Sequence, residues 1–248
     1  MPNSGTEHTV KAFDSDINKL RGMVAEIGGR SEQAISKAMQ ALEKNDHALA
    51  AEVVAEDKLI DDLEKRIDEM TFQTIALRAP MADDLRELIA TFKISGVVER
   101  IGDYAKNIAK RVPLLTQSHR LRPISLLPSM SKIAEELVRD SLDAFAKRDA
   151  ELALDVNRRD QIVDDFYSSI FRAVITHMVE NPKDISEAAH LLFIAKNLER
   201  IGDHATNVAE MVYFAATGEP MPERSRGDNP LDPITDDDLA GKQSKETS

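Results

Sequence analysis

Paired carboxylates at helical spacing occur in two copies of one motif. The segment ERIGDYAKNIAK begins at Glu99 and the segment ERIGDHATNVAE begins at Glu199, with eight of the twelve positions identical. In each copy an aspartate follows four residues later, at Asp103 and Asp203, so both carboxylates of a pair lie on one face of a helix. Like charges at this spacing destabilise a helix unless a cation neutralises them. The pattern therefore indicates cation binding.

A second pair of aspartates precedes each copy of the motif, in DKLIDDL from residue 57 and in DQIVDDF from residue 160. An antiparallel helical hairpin that turns near Pro80 brings the earlier pair to the height of the first motif, and a turn near Pro182 does the same in the second half. We therefore expect four acids to gather in each half. The first acidic set is Asp57, Asp61, Glu99 and Asp103, and the second acidic set is Asp160, Asp164, Glu199 and Asp203.

All eight acids are predicted as metal ligands. Carboxylate oxygens suit hard cations, and the candidate ions are divalent cations or iron (Mg, Mn, Fe or Zn). Because the apolar residues fall on the opposite side of each helix, we expect the acids to lie outside the hydrophobic core. The alternative is a solvated helix face with local salt bridges. Lys106 and Lys110 favour that alternative in the first half, whereas the corresponding residues of the second half are Thr206 and Glu210.

The placement of prolines and a helical apolar period predict an all-α chain with six helices. Their predicted ranges are 8–44, 47–78, 82–115, 127–147, 150–180 and 184–216. Asp46 and Asp149 are predicted to cap the second and fifth helices. Because the motifs repeat, the predicted fold is two tandem, pseudo-symmetric three-helix bundles, at residues 8–117 and 118–217. A disordered acidic tail is predicted at residues 218–248, where turn-forming and charged residues lack periodicity.

The composition narrows the classes of function. The 248 residues carry a net charge of −12, which repels polyphosphate backbones and argues against nucleic-acid binding. The chain has no cysteine, so disulfides and thiolate metal sites are excluded. No stretch is apolar and long enough to span a bilayer, and the N-terminus lacks the pattern of a signal peptide, so we expect a cytoplasmic protein.

The doubled ERIGD motif, the preceding DKLIDD segment and the segment RAPMADDLR at residues 78–86 resemble the PhoU family over about residues 10–216. The resemblance implies two three-helix bundles, homodimer formation and metal clusters on the E-x-x-x-D motifs. It also implies a cytoplasmic regulator that signals phosphate sufficiency and holds the phosphate-starvation response off. The implied partners are the ATPase subunit of the phosphate ABC transporter and a membrane sensor histidine kinase, with peripheral association at the membrane.

Two alternatives belong to other classes of protein. A metal-free helical adaptor would use its acidic faces only for solubility. A helix-bundle carboxylate oxidase would need two E-x-x-H motifs. One exists, Glu187 with His190, but the corresponding pair of the first half is Glu87 with Ala90. We therefore predict that the protein is not an enzyme.

Overall fold

The computed structural model describes residues 4–115 and 125–222, with side chains from residue 13 onward. These residues form α-helices and short 3₁₀ turns, without a strand, which confirms the all-α prediction. Six α-helices lie in the described ranges, with these bounds: α1 Ser4–Lys44, α2 His47–Arg78, α3 Asp83–Ala109, α4 Leu127–Lys147, α5 Ala150–Glu180 and α6 Ile185–Thr217. The predicted disordered tail lies outside the described residues from residue 223 onward. In the described part, no helix is both long and apolar enough to cross a lipid bilayer.

One aspartate caps the N-terminus of the middle helix in each half, as predicted. Asp46 accepts hydrogen bonds from the backbone amides of Ala48 and Leu49, each at 3.0 Å. Asp149 accepts one from the amide of Leu152 at 3.0 Å. Such caps satisfy amides that have no partner inside the helix, and each stabilises its helix by about 1 kcal/mol.

The predicted helix ranges differ most at the end of α3, and α1 also begins earlier, at Ser4 rather than residue 8. Helix α3 ends at Ala109 rather than near residue 115, and a 3₁₀ turn follows at Val112–Leu114. Pro113 has no amide proton to donate to the carbonyl of Ala109, and its ring would clash with that carbonyl in a continued α-helix. The amide of Arg111 donates to the carbonyl of Ile108, three residues back instead of four.

The two bundles share one hydrophobic core. Helices α1, α2 and α3 pack together, as do α4, α5 and α6, and α3 also packs along α6. Ile101 on α3 and its repeat counterpart Ile201 on α6 are both fully buried. Tyr104 and His204, which occupy equivalent positions in the two repeats, stack edge to face with ring centroids 5.0 Å apart. The pseudo-symmetry axis that relates the two halves therefore passes close to these two rings.

Candidate metal centre

The second acidic set lies between α5 and α6. Asp160 and Asp164 project from α5 and Asp203 projects from α6, and one carboxylate oxygen from each lies within 4.8 Å of the others. Asp160 is 3% exposed, and the other two are half-buried. Three carboxyl groups are thus held close together with restricted access to water.

A glycine on α6 makes room for Asp160. A Cβ atom at Gly202 would lie 2.6 Å from Oδ1 of Asp160 and 3.4 Å from Cγ1 of Val163. Alanine is the better helix former by about 1 kcal/mol, so glycine at this position costs helix stability. Its absent side chain allows the carboxylate to approach the backbone of α6.

We expect Gly202→Ala to lower the free energy of unfolding by about 1 kcal/mol or more, because overpacking costs about 1–3 kcal/mol and exceeds the gain in helix propensity. Gly22→Ala is the control, since a Cβ there meets nothing within 4 Å among the described residues. The control should gain up to about 1 kcal/mol. Urea melts of both variants measure the difference, and a stabilised Gly202→Ala would contradict the close approach.

Glu199 completes the second acidic set on α6. Its side chain is 13% exposed, and Lys196 donates a hydrogen bond to Oε1. Oε2 is buried and has no hydrogen-bond partner among the described residues. Burial raises the pKa of Glu199, and the negative charge of Asp203 raises it further, although the Lys196 hydrogen bond opposes both.

A lysine occupies the middle of the first acidic set. Nζ of Lys106 on α3 donates to Oδ2 of Asp57 on α2 at 2.6 Å and also donates to Asp103. Burial lowers the pKa of Lys106, but the two hydrogen bonds outweigh it and raise that pKa above its usual value. The ammonium group is therefore charged and is shared by carboxylates from both helices of the hairpin.

Lys106 does not neutralise all the carboxylates of the first acidic set. Asp57 is 7% exposed, and its Oδ1 has no hydrogen-bond partner among the described residues. Burial raises the pKa of Asp57 even though Lys106 lowers it. Burial also raises the pKa of Glu99, and the charges of Asp103 and Asp61 add to that effect. One ammonium group thus balances only part of this negative charge.

The predicted meeting of the acids is confirmed, and their predicted orientation is partly wrong. Asp57 and Asp103 share one lysine, and Asp160 lies beside Asp203, so each hairpin has the predicted register. However, Asp57 and Asp160 are buried rather than directed away from the core. The periodicity of one helix cannot show that the neighbouring helix covers its acidic face, and this covering causes the burial.

The sequence indicates a local salt bridge between Lys106 and Asp103, but it does not predict two further lysine contacts with these acids. Lys196 pairs with Glu199 three residues further along α6, whereas Lys106 reaches across to α2. The i to i+3 spacing was the available signal for the first contact. The second had no comparable signal, because its partner Asp57 lies on another helix.

The imidazoles of His190 and His204 are engaged by other groups. His190 of the E-x-x-H motif accepts a hydrogen bond at Nδ1 from Arg111, at 3.2 Å. A guanidinium group at that nitrogen competes with a metal ion for the same lone pair. His204 packs against Tyr104, and its Nδ1 bonds the carbonyl of Arg200 at 2.8 Å. This arrangement does not favour an oxidase site.

The buried glutamates should favour folding of the metal-free protein at about pH 5 over about pH 7.5, against the smaller number of groups that act oppositely, such as His204, whose pKa is lowered by burial. Burial raises the pKa of Glu99 and of Glu64, so the folded state binds protons at a higher pH than the unfolded chain. Their stabilising contribution is therefore complete below the unfolded pKa, near 4, and is lost as the pH rises through the raised values. Urea melts at both pH values test this, and Glu99→Gln should weaken the dependence. Equal stability at both pH values would contradict it.

The fold and the acidic sets together define a class: a duplicated helical-bundle protein with one carboxylate cluster per repeat. The family model described as "PhoU domain" matches twice, at residues 24–112 and 127–212. The chain belongs to the PhoU family.

Relatives and solved structures agree with this assignment. The chain is 53% identical over 220 residues to a protein of Zymomonas mobilis named "Phosphate-specific transport system accessory protein PhoU homolog", covering 89% of this chain and 93% of that protein. A Rhizobium meliloti protein of the same name is 41% identical, covering 92% and 98%. The crystal structure of PhoU from Pseudomonas aeruginosa superposes with a TM-score of 0.80 at 35% identity, covering 84% of this chain and all of that chain. The phosphate transport system regulatory protein PhoU from Streptococcus pneumoniae gives a TM-score of 0.80 at 26% identity, covering 85% and 100%.

Proposed function

We propose that this protein is a cytoplasmic, non-catalytic regulator of phosphate homeostasis that limits phosphate uptake and holds the phosphate-starvation response off. The observation that carries the proposal is the similarity to the Zymomonas mobilis accessory protein over 93% of that protein's length. The family model covers residues 24–112 and 127–212 and therefore includes both acidic sets. The partners in this proposal are the ATPase subunit of the phosphate ABC transporter and a sensor histidine kinase. The protein acts as a homodimer associated peripherally with these membrane complexes.

The function is tested by deleting the gene and growing the cells in phosphate-rich medium. Phosphate-responsive genes should then stay on, because the signal of sufficiency no longer reaches the kinase. Expression that remains repressed would contradict the regulatory role. A pull-down with the untagged chain as prey and the transporter ATPase subunit as bait tests the proposed contact separately.

We also propose that the second acidic set binds a hard cation such as Mn²⁺ or Mg²⁺. Two oxygens that coordinate one ion lie at most about 5 Å apart, because metal–oxygen distances are about 2.0–2.6 Å. The oxygens of Asp160, Asp164 and Asp203 lie within 4.8 Å of one another, so the residues present fit such an ion. A bound ion would neutralise these charges and connect α5 to α6. Glu199 adds negative charge near this cluster, since it interacts electrostatically with Asp203 and Asp164.

A metal-free adaptor is the second candidate, favoured by one observation in the other half. There the ammonium of Lys106 already links Asp57 to Asp103 without a metal ion. The two candidates differ in the metal content of the purified protein. Intact regulation by a chain that holds no metal would support the adaptor.

A further inference from the structure

We infer that the ammonium group of Lys106 is a built-in cation that replaces the metal ion in the first acidic set, so that this chain binds metal through the second acidic set alone. The second half of this statement rests on the proposed metal site, whereas the first half concerns Lys106 by itself. The two parts can therefore fail separately.

The contacts of Lys106 place its charge where an ion would have to bind. Nζ lies 2.6 Å from Asp57 on α2 and also contacts Asp103 on α3, so it connects the two helices of the hairpin. A lysine ammonium is a compact charge with three donors, and here it is held by its own chain. The lysine side chain is 20% exposed and the Asp57 side chain is 9% exposed, so this charge lies largely out of water.

The corresponding residue of the second half supplies no charge. Thr206 is the counterpart of Lys106, and its hydroxyl donates to the backbone carbonyl of Asp203 at 2.7 Å, within its own helix. The second acidic set therefore lacks a cation at this position. Lys196 contacts Glu199, on the turn of α6 before Asp203.

The first acidic set keeps a carboxylate oxygen that accepts no hydrogen bond from Lys106. Asp57 is 93% buried, and its Oδ1 accepts no hydrogen bond from the described residues. Removal of the ammonium group would leave this oxygen beside the second oxygen of Asp57, the carboxylate of Asp103 and the negative charges of Asp61 and Glu99. Such a group of oxygens has the chemistry of a hard-cation site.

The test exchanges the two residues between the repeats of the full-length, untagged chain. Four proteins are loaded with Mn²⁺, desalted and analysed for manganese by mass spectrometry: the wild type, Lys106→Thr, Thr206→Lys and the double variant. Lys106→Thr should gain at least one equivalent per chain over wild type, Thr206→Lys should lose the wild-type manganese, and the double variant should hold it in the first half only. Lys110→Thr is the control of equal charge change, because Lys110 is exposed and lies one turn further along, and its manganese content should equal that of wild type.

Each outcome decides one of the two parts. The inference is overturned if Lys106→Thr and Lys106→Gln, which keeps most of the length of the side chain, both fold and gain no manganese. It is also overturned if Asp57→Asn lowers the manganese content of wild type, or if Thr206→Lys keeps its manganese. In a third outcome, Lys106→Thr binds manganese and the wild type binds none. That result would support the role of Lys106 and refute the proposed site in the second half.

Discussion

Asp160→Asn combined with Asp203→Asn should reduce the manganese content of the protein to background and abolish its stabilisation by added Mn²⁺. These two carboxylates belong to the trio whose oxygens lie within 4.8 Å of one another, one on α5 and the other on α6. Their loss removes both charge and ligands while keeping side-chain shape. For the wild type, Mn²⁺ at 100 times its dissociation constant adds about 2.7 kcal/mol of stability. For a chain of this length that is roughly 5–11 °C in Tm.

The measurements are elemental analysis and thermal melts with and without Mn²⁺. Asp165→Asn is the matched control, because Asp165 adjoins Asp164 on α5 but is exposed. The control should keep both the metal and the increase in Tm. If Mn²⁺ raises the Tm of the double variant as much as that of the wild type, the second acidic set is not the binding site.

Ile101→Ala should lower the free energy of unfolding by about 3 kcal/mol, within the range of about 2–5 kcal/mol found for buried isoleucine or leucine truncations. Ile101 is fully buried on α3, the helix that packs against both its own bundle and α6. The corresponding decrease in Tm is roughly 6–12 °C. Circular dichroism melts measure it.

Ile89→Ala on the same helix is the matched control, since Ile89 is 39% exposed. It should lose less than half as much stability, because less apolar surface leaves water when this side chain folds. Equal losses for the two variants would mean that α3 does not carry the shared core of the two bundles.

Most of the helices could be predicted from the sequence because the signals that start and end a helix are local. Asp46 and Asp149 satisfy free amides at helix starts, and these contacts involve residues only two or three positions away. The end of α3 was misjudged because Pro113 changes the hydrogen bonding of residues before it, and an apolar pattern does not show how far back that change extends.

The sequence predicts which acids of the candidate site come together, but it does not predict their burial or their lysine contacts. Equal spacing from the hairpin turns was enough to bring Asp57 to Asp103 and Asp160 to Asp203. Burial of Asp57 and Asp160 depends on the facing helix, which no single-helix pattern describes. The bridging contact of Lys106 depends on the direction of a long, flexible side chain, and that direction is decided only by tertiary packing.

The contact between Tyr104 and His204, at equivalent repeat positions, has an evolutionary meaning. Two separate copies of a half-length ancestor could meet about this point as a symmetric pair, and every substitution in one would then appear in the other. Fusion into a single gene frees each copy to drift alone. Phenol against imidazole here, and lysine against threonine two residues later, are differences that two identical copies of one half-length chain cannot have.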